Sequence, residues 1–179
     1  MKHAIGPRKE MGVRTLFNLL GPLTNPAAAP NQVLGVFSAE WLEPLAQVLG
    51  KLGSEHVLVV HADDGLDEIS IGSSTRVAEL KAGSVHSYQV SPDQFGMKTG
   101  NVAELAVENA QQSLAMINRV LDDTPGPAHD IVALNAGAAI YAAGIADSLQ
   151  AGVEVAQQAI ASGAAKQKLK DLIEFSNSV

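Results

Sequence analysis

The sequence predicts an α/β fold: a mostly parallel sheet flanked by helices, with a β-hairpin insertion and Ala-rich C-terminal helices. Two short, continuous apolar runs, residues 32–37 (Gln-Val-Leu-Gly-Val-Phe) and 56–61 (His-Val-Leu-Val-Val-His), have the composition of strands buried on both faces. Between them Leu42, Leu45, Leu49 and Leu52 step by three, four and three, the spacing of one face of a helix. Strand, helix and strand within so short a stretch form a βαβ unit, so the two strands are expected to be parallel neighbours.

Taken in order, residues 3–20 have a helical pattern broken around Gly12, and residues 20–31, rich in Pro and Ala, read as loop. Ser38 is placed to cap the following helix. If that helix starts near Glu40, Pro44 falls in its first turn, where N–H groups lack an internal partner anyway. Gly53 supplies the stop. Residues 76–80 and 85–90 alternate in polarity around Lys81-Ala82-Gly83-Ser84, which predicts a hairpin, and Ser91-Pro92-Asp93 is a turn. Asn101, with Glu104 three residues on, predicts the capped start of a long helix with the stripe Val107, Ala110, Leu114, Ile117 and Leu121. Residues 122–129, with Pro125, Gly126 and Pro127, read as a linker. The remainder forms two or three Ala-rich helices, in which Gly137 and Gly144 share a face and permit close approach.

Composition bounds the function. A chain of 179 residues, 46% hydrophobic and 17% charged, fits a single globular α/β domain over residues 1–179. Aromatic residues make up only 4%, so the core must be built from Ala, Val, Leu and Ile. A net charge of −7 argues against a broad nucleic-acid surface but leaves room for a phosphate ligand held by a helix N-terminus or a metal. The absence of cysteine excludes disulfides, thiol catalysis and thiolate metal sites. No apolar run approaches the roughly 20 residues of a membrane span, and no signal peptide follows Met1-Lys2-His3. A soluble, cytoplasmic protein with no membrane or nucleic-acid partner is the expectation.

The densest chemistry is Asp63-Asp64-Gly65-Leu66-Asp67-Glu68, just past the second predicted strand, where open α/β sheets bind their ligands. Carboxylates facing one spot repel unless a cation joins them. Mg2+ takes one or two carboxylates and completes its octahedron with water and phosphate oxygens, a duty that suits the adjacent Asp67 and Glu68. An ordinary solvated acidic turn would have the same composition. Arg8 and Arg14 flank a packed segment and have the fork geometry for a carboxylate ligand; each is equally readable as a solvent-facing helix cation. The five histidines show no i, i+4 pairing. Gly72-Ser73-Ser74-Thr75 lacks the lysine of a P-loop.

The run from Arg8 through Gly12-Val13-Arg14-Thr15-Leu16-Phe17-Asn18-Leu19-Leu20-Gly21-Pro22-Leu23-Thr24-Asn25-Pro26 resembles the central segment of the anthranilate phosphoribosyltransferases. So do Asp64-Gly65-Leu66-Asp67-Glu68-Ile69-Ser70, Phe95-Gly96, and Asn135-Ala136-Gly137-Ala138-Ala139-Ile140-Tyr141 with Ala143-Gly144. The resemblance implies transfer of 5-phosphoribosyl from phosphoribosyl pyrophosphate to the amine of anthranilate, with release of pyrophosphate, in tryptophan biosynthesis. It implies that Arg8 contacts anthranilate, that Pro22 lines the anthranilate path, and that Asp67 and Glu68 bind Mg2+. The family's Gly-Thr-Gly-Gly-Asp and Lys-His-Gly-Asn segments, which cradle the donor, do not occur here. The resemblance therefore implies the C-terminal part of a longer, homodimeric enzyme, with little or no activity alone and an uncovered sheet edge or apolar patch. A related nucleoside phosphorylase and a non-catalytic binding or assembly module are the rival readings.

Overall fold

The computed structural model describes residues 17–178; Arg8 and Arg14, and most of the helix expected over residues 3–20, lie outside them. A four-stranded sheet in the order β1-β2-β3-β4 forms the centre. Its strands are β1 (Asn31–Gly35), β2 (His56–Ala62), β3 (Thr75–Lys81) and β4 (Ser84–Val90). Around it lie α1 (Phe17–Leu23), α2 (Leu42–Lys51), α3 (Ala110–Leu121), α4 (Pro127–Ala142), α5 (Leu149–Ala161) and α6 (Ala164–Ser176).

The βαβ unit forms as its sequence requires. Strand β1 pairs parallel with β2, Asn31 opposite His56 through Gly35 opposite Val60, and α2 makes the crossover. Every β2 residue except His61 is buried because both faces of the sheet are covered. On one face Val57, Val59, Ala78 and Leu80 pack against Leu42, Leu45, Ala46 and Leu49 of α2. On the other, Leu58, Val60 and Val77 meet Ala133, Leu134 and Ala138 of α4, with Val153 of α5 behind them.

The α/β class, the flanking helices and the hairpin are as the sequence predicts, but the pairing corrects one expectation. Only β1–β2 is parallel; β2–β3 and β3–β4 are antiparallel. A parallel return needs a crossover, usually helical, and residues 63–74 contain no helix, so β3 runs back beside β2. The hairpin then continues the same sheet through Ala82 and Gly83, both at positive φ (50° and 76°), the backbone of a two-residue turn that matches strand twist.

Four local expectations change. Residues 20–23 continue α1 through Gly21 and Pro22, where loop was expected, and Thr24 closes the helix by donating from Oγ1 to the Leu20 carbonyl. Asn101 caps only the 3-10 turn Val102–Leu105, by accepting from the Ala103 N–H. Ala106 is extended, and α3 starts afresh at Ala110 under a second cap, Asn109, which accepts from the Gln112 N–H at 2.9 Å. The expected stripe is thereby split: Val107, Leu114 and Ile117 stay exposed, and Val120 is the α3 residue that is buried. The stretch read as a linker already holds the start of α4 at Pro127, whose missing N–H costs nothing in the first turn. Finally, Gly144 lies past the end of α4 at φ 72°, and Gly137 sits at the helix crossing with Gly152 of α5, where a Cβ on Gly137 would come within 2.6 Å of the Val153 backbone.

Candidate functional site

The acidic loop leaves β2 at Ala62 and lies past the carboxyl ends of β1 and β2. Its first two carboxylates are consumed by the fold. Asp63 accepts from Arg76 Nε at 3.0 Å and from Gln89 Nε2 at 2.9 Å, pinning the loop to β3 and β4. Asp64 accepts from Ser70 Oγ at 2.5 Å and from the Leu66 N–H at 3.2 Å. Two hydroxyls of the Gly72-Ser73-Ser74-Thr75 run are consumed too. Thr75 Oγ1 accepts from the Ser70 N–H, and Ser73 Oγ accepts from the Asp64 N–H.

Asp67 and Glu68 differ. Both are exposed, and neither carboxylate has a hydrogen-bond or ion-pair partner among the described residues. Their backbone, by contrast, is fixed on both sides. A Cβ on Gly35, at the end of β1, would overlap the Asp67 carbonyl oxygen, so the loop rests directly on that glycine. On the other side Asn135 of α4 accepts from the Ile69 N–H at 2.9 Å and donates from Nδ2 to the Ile69 carbonyl at 2.9 Å and to the Ile131 carbonyl at 3.0 Å. Glu68 also borders an apolar groove of about 540 Å³ between the Val102 turn, α3 and α4, lined by Leu66, Val102, Val107, Ile117 and Ile131.

A hard cation fits this donor set. Two adjacent carboxylates that no described residue engages match what Mg2+ takes from protein, the remaining positions going to water and phosphate oxygens. No group of three or more His, Asp or Glu side chains converges among the described residues, so an all-protein cage is not what this loop offers. Two of the histidines are engaged elsewhere: His61 Nδ1 donates to the Val36 carbonyl at 2.8 Å, and His129 lies between Asp123 and Asp130. Pro22 is not brought to the acidic loop. It lies with Gln32, Leu49 and Ser54 at the opposite, amino ends of β1 and β2.

A second polar cluster occupies that opposite end. Buried Glu79 of β3 accepts from Tyr141 OH at 2.7 Å and from His56 Nε2 at 2.8 Å. Lys81 donates to Tyr141 OH at 3.1 Å and stands over its ring, which meets the His56 ring in a T-shaped contact. Burial pushes the Glu79 pKa up, but hydrogen bonds from Tyr141, His56 and Tyr88 together outweigh it and hold the carboxyl below its usual range. Burial, then the Glu79 carboxylate, raises the Tyr141 phenol; burial likewise raises Tyr88.

The sequence profile of the glycosyl transferase family, a/b domain, matches residues 1–166. The chain belongs to that family. Within it, the anthranilate phosphoribosyltransferase of Thioalkalivibrio sulfidiphilus is 65% identical over 178 residues, covering 99% of this chain and 53% of that protein. That of Methylococcus capsulatus is 61% identical, over 98% of this chain and 52% of that one. Among solved structures, the crystal structure of the Thermus thermophilus anthranilate phosphoribosyltransferase superposes with a TM-score of 0.89 at 44% identity, over 98% of this chain and 52% of that one. The Saccharomyces cerevisiae enzyme, solved in complex with PRPP and Mg, gives a TM-score of 0.87 at 27% identity, over 100% of this chain and 52% of that one. The chain thus spans about half the length of the curated relatives it matches.

The acidic pair stands out in the sequence; the two residues that fix its backbone do not. A glycine inside an otherwise apolar strand marks a close backbone approach, and Gly35 carries that signal. Asn135 is a polar interruption in an apolar helix, which calls for a buried hydrogen-bond partner.

Proposed function

We propose that this chain is the α/β part of an anthranilate phosphoribosyltransferase, which transfers 5-phosphoribosyl from phosphoribosyl pyrophosphate to the anthranilate amine and releases pyrophosphate. The observation that carries this reading is the Asp67–Glu68 pair beyond β2, without partners among the described residues, in a chain 65% identical to a relative of that name. Asp67 and Glu68 are the residues that hold the Mg2+; when bound, that ion neutralises the charge building on the departing pyrophosphate. The loop holds its two carboxylates ready past the strand ends, where repulsion between them favours a cation over any internal partner. No nucleophile is called for, since displacement at the ribose carbon depends on positioning and charge neutralisation. Arg8, outside the described residues, is assigned to the anthranilate carboxylate by resemblance.

The donor-cradling segments of the family do not occur in this sequence, so the 179 residues alone are expected to show little or no turnover. A cytoplasmic setting and pairing of full-length copies belong to the same reading. The direct test joins this chain to the N-terminal half of the Thioalkalivibrio sulfidiphilus relative. The chimaera is expected to consume anthranilate and phosphoribosyl pyrophosphate only with a divalent cation present. Phosphorolysis of thymidine, with anthranilate untouched, would overturn the assignment in favour of a nucleoside phosphorylase.

A further inference from the structure

We propose that Asn135 is a positioning residue for the Asp67–Glu68 pair, holding both carboxylates in the arrangement that receives a divalent cation; this rests on the metal reading above. Asn135 lies on α4, far from the acidic loop in sequence, yet it grips the residue next to Glu68. Its amide oxygen takes the Ile69 N–H and its amide nitrogen gives to the Ile69 carbonyl, each at 2.9 Å. The ring of two bonds copies what a neighbouring strand would offer. It also fixes the amide orientation, because only one flip satisfies both Ile69 groups. The third bond, to the Ile131 carbonyl one turn earlier, ties the amide to its own helix.

The consequence falls on Glu68. Rotation of the Glu68–Ile69 peptide would break the bond from the Ile69 N–H and leave that N–H and the Asn135 amide oxygen unsatisfied in a half-buried place. The Ile69 side chain, buried in the core on the α4 face, resists the same motion. Gly35 blocks movement on the other side of the pair, under the Asp67 carbonyl. The carboxylates themselves have no partner among the described residues, and within these the restraint on them comes through the backbone. Two like charges on an unrestrained loop would swing apart, and the cation would have to draw them together. With the backbone held, folding has already met that cost. Partners that orient metal ligands typically contribute about 10- to 100-fold in affinity, the scale expected here.

The test uses the whole 179-residue chain, isotopically labelled, titrated with Mn2+ as a paramagnetic probe, with hydrogen exchange at the Ile69 amide as a second readout. In the unaltered chain, amide signals around Asp67 and Glu68 are expected to broaden at low Mn2+. Asn135→Ala is expected to raise the half-broadening concentration about tenfold and to speed Ile69 exchange. Asn135→Gln, which keeps an amide but adds a methylene, is expected to give an intermediate rise and serves if the alanine variant does not fold. Tyr141→Phe removes a hydrogen bond from the other end of α4 and should leave the titration unchanged. An equal rise there would reduce the effect to general loosening and overturn the proposal. Folded Asn135 variants that bind Mn2+ like the unaltered chain would also overturn it. Broadening that survives unchanged in Asp67→Asn/Glu68→Gln, or none in the unaltered chain, would instead remove the metal reading, whatever Asn135 does.

Discussion

At the amino end of β2 a buried carboxylate, Glu79, is surrounded by donors, while past the other end two exposed carboxylates, Asp67 and Glu68, have none among the described residues. The difference follows from burial. An ionised group removed from water must be paired and hydrogen-bonded or it unfolds the site. An exposed one keeps its hydration until a ligand replaces it, so only there can lone pairs remain available. The loop shows the same division within itself: Asp63 and Asp64 are tied to Arg76, Gln89 and Ser70 and serve the fold, and the two carboxylates that follow do not. Charge density therefore locates the region, and partner count separates the carboxylates tied into the fold from those left facing solvent.

Glu79→Ala tests the buried side most severely. It leaves His56 Nε2 and Tyr141 OH without their acceptor, and is expected to cost about 3 kcal/mol in urea denaturation. A loss within measurement error would mean that the cluster is not what holds α4 to the sheet. Tyr141→Phe removes one donor and is expected to cost about 1 kcal/mol.

The pH dependence of stability should follow the same groups. The folded Glu79 pKa lies below its ordinary value, so its contribution is complete above that value, about 4.3, and is lost as pH falls through the depressed one. Tyr141 and Tyr88 are raised, so their contribution is complete below about pH 10 and is lost as pH rises through the raised values. Lys81, raised by its bond to Tyr141, acts in the same alkaline direction from the surface. Thermal melts across pH should show both limbs, and Glu79→Gln should flatten the acid one. An unaltered acid limb would assign it to other carboxylates.

The exposed side should respond weakly in stability. Arg76→Ala breaks an exposed pair with Asp63, and a change within about 0.5 kcal/mol is expected. Asp67→Asn with Glu68→Gln should leave unfolding unchanged within about 0.5 kcal/mol while raising the divalent-cation requirement of the chimaera. A marked loss of stability from that pair would place them with Asp63 and Asp64 as structural groups.

Local patterns were legible wherever one short stretch carries the whole signal. The apolar runs at 32–37 and 56–61, the Leu42–Leu45–Leu49 face and the Lys81–Ser84 turn all became the elements their spacing indicates. The Asn101 cap misled because two asparagine caps lie close together, and a capping signal does not say how far its helix runs. Gly144 misled because a glycine has the same identity at a helix crossing and after a helix end; only its φ of 72° tells which. In the candidate site, Asp67 and Glu68 could be singled out because adjacency is a property of sequence. Gly35 and Asn135 could not be linked to them, since β1 and α4 meet the loop only in space.

Chain order alone set the α/β class, the parallel β1–β2 pair and the placing of an acidic loop at the strand ends, since these rest on periodicity and on the chirality of the βαβ connection. Folding in three dimensions settled the antiparallel return of β3. It also brought Glu79, His56 and Tyr141 together from three elements and separated the four carboxylates of residues 63–68 into two satisfied and two without a partner among the described residues. Asp63 finds Arg76 on β3 and Gln89 on β4, so which carboxylate is tied down depends on the packed molecule as well as on its own stretch of chain.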